Sequence, residues 1–262
     1  MALGKWEGAI VVPTGGWTFN LIDNDHGGGG ATATIAAGTY YLTSPPASSL
    51  LTTLKAALDD GAGVTYTVSV DDNNSTSNGK VTITPSAGTF SVTWTSTDLR
   101  DVLGFQTNIT ASSGATGTEH AEYLWLPDVP RSSPMSPEPV NNNYDMGAYE
   151  EDGTFSVSPG GAVRGLAYTR RIVDRFKYTN MRAHKVFEQH EQNINESLQN
   201  FYKDVIFAKK NARFHPDRED NTVYFTWVID SSETGFQPVP FQDGWVSLTS
   251  LWSIDWKMYK AV

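Results

Sequence analysis

In stretch after stretch of this chain, apolar side chains return at every second position, and that alternation is what most limits its fold. Trp17, Phe19 and Leu21 share one parity, as do Val64, Tyr66, Val68 and Val70. Tyr168, Ile172, Phe176 and Tyr178 repeat the pattern, and Tyr224, Thr226 and Val228 repeat it again. Alternate residues of a strand project to opposite faces, so each run predicts a strand with one buried side. Thr, Tyr, Phe and Trp fit such a pleated, half-buried surface, and Gly, Asn and Pro punctuate the runs as turns. The expected fold is α+β and mostly β.

Helical spacing is confined to a few places. Leu50, Leu51, Leu54, Ala57 and Leu58 form one apolar face behind a capping Ser48. A short turn over 98–103 follows Thr97 and ends at Gly104. The spacing predicts a longer helix over 194–210. Asn193 and Glu196 stand as a capping box, Ile194, Leu198, Phe201, Tyr202 and Val205 form the stripe, and Lys209 and Lys210 suit the negative end.

Between these patterned regions, residues 107–153 break the alternation. Ser, Thr, Gly and Ala dominate 107–118, five prolines fall within 127–139, and three asparagines follow. Such composition predicts an extended linker or arm, with Tyr123 to Leu126 its one apolar handle. The expected organisation is therefore an N-terminal α+β module over 1–106, the linker over 107–153, and a C-terminal β domain over 154–262. Each domain would be a sheet, sandwich or barrel carrying one amphipathic helix.

Charge narrows the function. The net charge of -10 opposes phosphate, so nucleic acid is disfavoured as a partner on electrostatic grounds. No window approaches the roughly 18–20 apolar residues of a membrane span, and residues 1–6 do not read as a signal peptide. With no Cys, disulfides and thiolate chemistry are excluded. The charge is also uneven: net -12 over 1–161, net +6 over 162–186 and net -4 over 187–262. Within the basic stretch Arg171, Arg175 and Lys177 fall on one face of a strand, which makes them the candidate subunit-interface residues. A nucleic-acid groove, a seam docking on an acidic surface and a plain solvated face are the alternatives; acidic surface in this same chain makes self-association or an acidic partner the simpler docking.

Catalytic patterns are not found. His26, His120, His184, His190 and His215 make no HExxH pair, and no GxGxxG, GxxxxGK[ST] or GxSxG occurs. Asp23 and Asp25 open like a calcium loop, but the carboxylate about twelve positions on is missing, so a solvated turn is expected. Asp71 and Asp72 read as the polar tip of a hairpin, and Glu150 and Glu151 as exposed linker charge. Trp245, Trp252, Trp256 and Tyr259 read as core packing or, alternatively, as a sugar-stacking platform. No catalytic, cofactor-binding or metal-ligating residue is nominated, and no cofactor is expected.

The C-terminal run has a long strand, a capped helix, the turn His215-Pro216-Asp217, a strand over 223–229, the stretch Phe236-Gln-Pro-Val-Pro-Phe241 and a closing strand over 248–259. It resembles the small β-plus-helix domains of tailed-phage tail proteins, the group of tail-tube, distal-tail and minor tail components. The N-terminal run resembles a small module of virion structural proteins in its Thr39-Tyr-Tyr-Leu42 strand, leucine helix, Asn-rich hairpin and Thr97-Asp-Leu-Arg-Asp-Val-Leu-Gly-Phe105 closure. The resemblance implies a non-enzymatic subunit of a tailed-phage particle, made in the host cytoplasm and located in the virion at or near the tail. Its partners would be further copies of itself and other virion proteins. The alternative is a receptor- or carbohydrate-binding module with a host-surface glycan as partner, or a capsid decoration protein.

Overall fold

The computed structural model describes residues 4–23, 30–59, 63–72, 79–127, 143–152, 155–157, 163–165, 169–181, 183–228, 239–240 and 252–260; over 143–180 and beyond 227 it describes the backbone path. The protein is mostly β, with several separate sheets and a few short helices, and its apolar residues divide between two cores.

The first core runs from Ile10 to Leu126. A four-stranded antiparallel sheet places Ala31–Ile35, Trp17–Ile22, Phe90–Trp94 and Ile109–Ser112 side by side. A three-stranded sheet orders Ala115–Thr116, Val81–Pro85 and Tyr66–Val70, and Ile10–Val12 pairs with Gly38–Tyr40. The alternation read from sequence is the burial pattern seen here: Trp17, Phe19 and Leu21 are buried while Thr18 and Asn20 are half-buried. Aromatic rings close the core, with Phe19 and Trp94 at 5.8 Å and Tyr66 edge-on to Phe90 at 5.5 Å. The Leu50–Leu58 helix lays Leu50, Leu51, Leu54 and Leu58 on this core, each fully buried leucine stabilising by about 1.5–3 kcal/mol. Its cap is Ser49, whose Oγ accepts the Thr52 N–H at 3.1 Å, one residue beyond the expected Ser48. The Thr97–Val102 helix ends as expected at Gly104, whose φ of +76° only glycine adopts without strain.

The second core gathers Trp6 and Trp125 with Met181, Val186, Leu198, Phe201, Val205, Phe214 and Trp227. Its sheet follows the order Leu124–Trp125, Lys5–Gly8, Ala212–His215, Phe225–Val228, Trp252–Lys260, Thr169–Met181, Asn143–Asp152, with Val239–Pro240 paired to Trp252–Lys260. Trp6 stands opposite Trp125 in register, packs on Phe214 at 4.8 Å, and both tryptophans are fully buried.

Three expectations need detail. The stretch 107–153 is not featureless: Ile109–Ser112, Ala115–Thr116, Leu124–Trp125 and Asn143–Asp152 are strands, while 128–142 lie outside the described residues. Strand pairing is a main-chain interaction that a Ser/Thr/Gly-rich sequence does not prevent, and Ile109, Ala121, Leu124 and Leu126 anchor this stretch in the first core. Nor does the N-terminal module close on itself at 1–106, since Lys5–Gly8 pairs with Ala212–His215 in the second sheet. The 194–210 helix is shorter, an α-helical turn Leu198–Phe201 running into a π-helical stretch Tyr202–Phe207. Asn195 at φ +67° breaks the helix before it starts, Ser197 caps it, and Ile194 is left 54% exposed. Half of the expected capping box still forms, because the Glu196 carboxylate accepts the Asn193 N–H at 3.1 Å.

Candidate functional site

The Lys5–Gly8 strand joins the two cores, and its alternation decides what lies on each side. Trp6 enters the second core; Lys5 and Glu7 project the other way, toward the first unit. The register sets Lys5 opposite His215 and Glu7 opposite Arg213, so four charged or titratable side chains share one face. Lys5, Glu7 and His215 are all fully buried. Desolvating such groups is expensive unless counter-charges and hydrogen bonds compensate it, and Lys5 and Glu7 have both. Lys5 Nζ donates to Asp72 Oδ2 at 2.8 Å and to Asn221 Oδ1. Glu7 accepts from the Thr43 N–H at 3.1 Å, from the Thr43 hydroxyl and from Ser44 Oγ at 2.8 Å. His215 Nε2 lies 3.5 Å from Glu7 Oε2, at the outer limit of a hydrogen bond. Arg213 is held between the rings of Tyr41 (3.7 Å) and Tyr224 (4.2 Å) and donates to the Ser44 carbonyl at 2.7 Å. Burial would raise the Glu7 carboxyl, but His215, Lys5 and Thr43 outweigh it and hold its pKa at about 2.

This network opens on a cavity of about 460 Å³. Thr43, Asp72 and Asn221, all fixed from behind by Lys5 or Glu7, line it together with Ser69 and Glu219; Leu51, Val68 and Val70 supply an apolar side. A smaller cavity of about 270 Å³ lies between the Thr97–Val102 helix and Lys210, lined by Trp17, Asp98, Asp101, Glu122 and Tyr123. There burial, with the negative charges of Asp204 and Asp101, raises the Glu122 carboxyl to about 7. Lys210 sits 4.3 Å from the Tyr123 ring centroid and donates to its hydroxyl at 3.2 Å.

His120 of the first unit lies within the electrostatic reach of Lys185 and Glu196 of the second. Its ring is wholly buried and packs on Gly79, where a Cβ would collide with it. Burial and the Lys185 charge lower its pKa to about 4, against the pull of the Ala121 carbonyl and Glu196. Lys185 pairs with Glu196 at 2.7 Å, and His184 Nε2 lies 3.8 Å from the same carboxylate oxygen.

The nominated Arg171, Arg175 and Lys177 lie on the Thr169–Met181 strand, in the interior of the sheet order. The register places Glu150 opposite Arg171, Asp145 opposite Arg175, and Asn143 and Asp255 on either side of Lys177. Counting formal charges, the Asn143–Asp152, Thr169–Met181 and Trp252–Lys260 strands sum to zero, so the stripe that stands out in sequence is locally matched. Glu150 and Glu151 are thus strand positions opposite Arg171 and Arg170 and not linker charge. Asp23 is buried and accepts the Tyr66 hydroxyl at 2.6 Å, so it is not itself solvated; the rest of the expected turn, 24–29, lies outside the described residues. Asp72 is the partner of a buried lysine and not a free hairpin tip. His26, Asp25 and Trp245 lie outside the described residues, as do the side chains of Trp252, Trp256 and Tyr259.

Lys5, Glu7, Arg213 and Asn221 are not among the residues that sequence reasoning nominates. A short charged-apolar-charged run such as Lys5-Trp6-Glu7 is the ordinary signature of a half-exposed strand, and its partners are far along the chain, Asp72 lying 67 positions from Lys5 and Asn221 lying 216. Among the described residues no group of three or more His, Asp or Glu is arranged to hold a metal ion, and no helix is long and apolar enough to cross a membrane. Comparison with protein-family models, curated proteins and solved structures gives no match to this chain.

Proposed function

We propose that the chain is a non-enzymatic structural subunit of a tailed-phage particle, a tail or tail-associated protein that assembles through contacts between copies. The observation that supports this reading is the Asn143–Asp152 strand, which ends the large sheet and has one strand neighbour among the described residues. Ten residues of edge offer a long row of main-chain donors and acceptors for pairing. The strand beside it, thirteen residues long, extends for about 43 Å at roughly 3.3 Å per residue. Asp145, Glu150, Glu151 and Asp152 lie along the edge, so two such edges brought together repel. Contact is then made with an unlike surface of the next copy. Unlike contacts generate rings when the rotation closes and open polymers when it does not.

Native mass measurement and electron microscopy of the purified protein test the reading, with a closed ring or ordered polymer as the expected result. A monomer at every concentration, absent from particles, would refute it. The role of the stripe is separable. Replacing Arg171, Arg175 and Lys177 by Gln, which avoids setting Glu opposite Glu150 and Asp145, tests it: weakened assembly with unchanged circular dichroism assigns the stripe to the contact. Assembly indifferent to those substitutions assigns the contact to another surface.

A further inference from the structure

We propose that the 460 Å³ cavity beside Asp72 and Asn221 is a binding site for a neutral sugar residue. Its size falls within the roughly 300–1,000 Å³ of small-ligand pockets. Its chemistry then selects the ligand by elimination.

An anion finds no free cation among the residues that line the cavity. Asp72 and Glu219 face the space, and the nearest cation, Lys5, is already engaged by Asp72 and Asn221. The N-terminus of the Leu50–Leu58 helix adjoins the cavity, but its first amides are engaged as well: Leu50 with the Tyr41 carbonyl at 2.9 Å, Leu51 with the Leu42 carbonyl at 3.2 Å, and Thr52 with Ser49 Oγ. An apolar ligand would leave the carboxylates and amide unpaired in a desolvated space, which is costly. A bare cation is disfavoured too, since Lys5 compensates the Asp72 charge at 2.8 Å.

Hydroxyl groups satisfy what remains. Lys5 occupies Asp72 Oδ2, which leaves Oδ1 as an acceptor. Lys5 donates to Asn221 Oδ1, which leaves the NH2 of Asn221 as a donor. Neither free atom has another partner among the described residues. A carboxylate oxygen beside an amide NH2 matches a pair of adjacent hydroxyls, because a hydroxyl both donates and accepts. Ser69 adds a hydroxyl at the rim, and Leu51, Val68 and Val70 offer an apolar wall for the C–H face of a sugar ring. The fully buried Lys5 and Glu7 keep Asp72, Asn221 and Thr43 in place before any ligand arrives. Preorganisation of this kind lowers the entropic cost of binding.

The inference is independent of the assembly role, because binding can be read on the purified protein in any oligomeric state. Saturation-transfer NMR with the methyl glycosides of glucose, galactose, mannose and N-acetylglucosamine should give signal from at least one. Asn221→Ala removes the donor and should weaken binding by about tenfold. Because Asn221 also touches the buried network, a second variant is used: Ser69→Trp lies at an exposed rim position, fills the cavity and should abolish the signal with circular dichroism unchanged. Silence from all four glycosides overturns the proposal, as does signal that persists in Ser69→Trp. Inorganic phosphate should give no chemical-shift change at the cavity, and saturable phosphate binding there would overturn the choice of a neutral ligand.

Discussion

Replacing Glu7 by Gln should cost about 3 kcal/mol of stability at pH 7, and the figure follows from the carboxylate's surroundings. Its pKa is held at about 2 against an ordinary 4.5, and every tenfold change in the acid constant corresponds to about 1.36 kcal/mol between the charged and neutral forms. The group is fully buried, so little solvent screening reduces this. Removing one partner of a buried ion pair costs about 3–5 kcal/mol in general, which agrees. The sign is fixed by the direction in which the pKa moves. A lowered carboxyl pKa contributes stability that is fully present above pH 4.5 and is lost as pH falls toward 2. Urea unfolding followed by tryptophan fluorescence is the assay, since Trp6 and Trp125 are wholly buried and will report the opening of this junction. The wild-type advantage over Glu7→Gln should be about 3 kcal/mol at pH 7 and should shrink steadily between pH 4.5 and 2. Equal urea midpoints at pH 7 would refute the reasoning, and so would a gap that stays constant into acid.

Gly79→Ala should destabilise by about 2–4 kcal/mol in thermal melts, because φ is +77° and the added Cβ meets the buried His120 ring. His120 acts in the same direction as Glu7 but at higher pH. Its pKa of about 4 lies below the usual 6.5, so the unfolded chain takes up the proton first and stability falls as pH drops from 6.5 to 4. Between pH 7 and 5 the wild type should lose about 2 kcal/mol that His120→Gln does not lose; parallel losses in melts of both would reject it. Ser49→Ala removes the cap of the Leu50–Leu58 helix and should cost about 1 kcal/mol by urea unfolding, whereas Ser48→Ala should be close to silent.

The parts of this fold that could be read without coordinates are those where a short window settles the energetics. Trp17, Phe19 and Leu21 alternate because one face of their strand is buried, and the leucines of the Leu50–Leu58 helix fall on one side for the same reason. Strand partners cannot be read in this way, because main-chain hydrogen bonds are the same for every residue and leave no mark in composition. Nothing in Lys5-Trp6-Glu7-Gly8 names Ala212–His215 as its neighbour, and nothing in the Ser/Thr-rich 107–118 stretch announces two paired strands. Charge misleads for a related reason. A lysine or glutamate is solvated unless a counter-charge meets it, and Lys5 and Glu7 are buried because Asp72, Arg213, His215 and Asn221 arrive from distant parts of the chain. The basic stripe shows the converse: conspicuous along the chain, it is matched once the sheet register sets Glu150 and Asp145 across from Arg171 and Arg175. Local periodicity is an energy of one segment with its surroundings in general, whereas register and ion pairing are energies between two particular segments, and those exist only once the chain has folded.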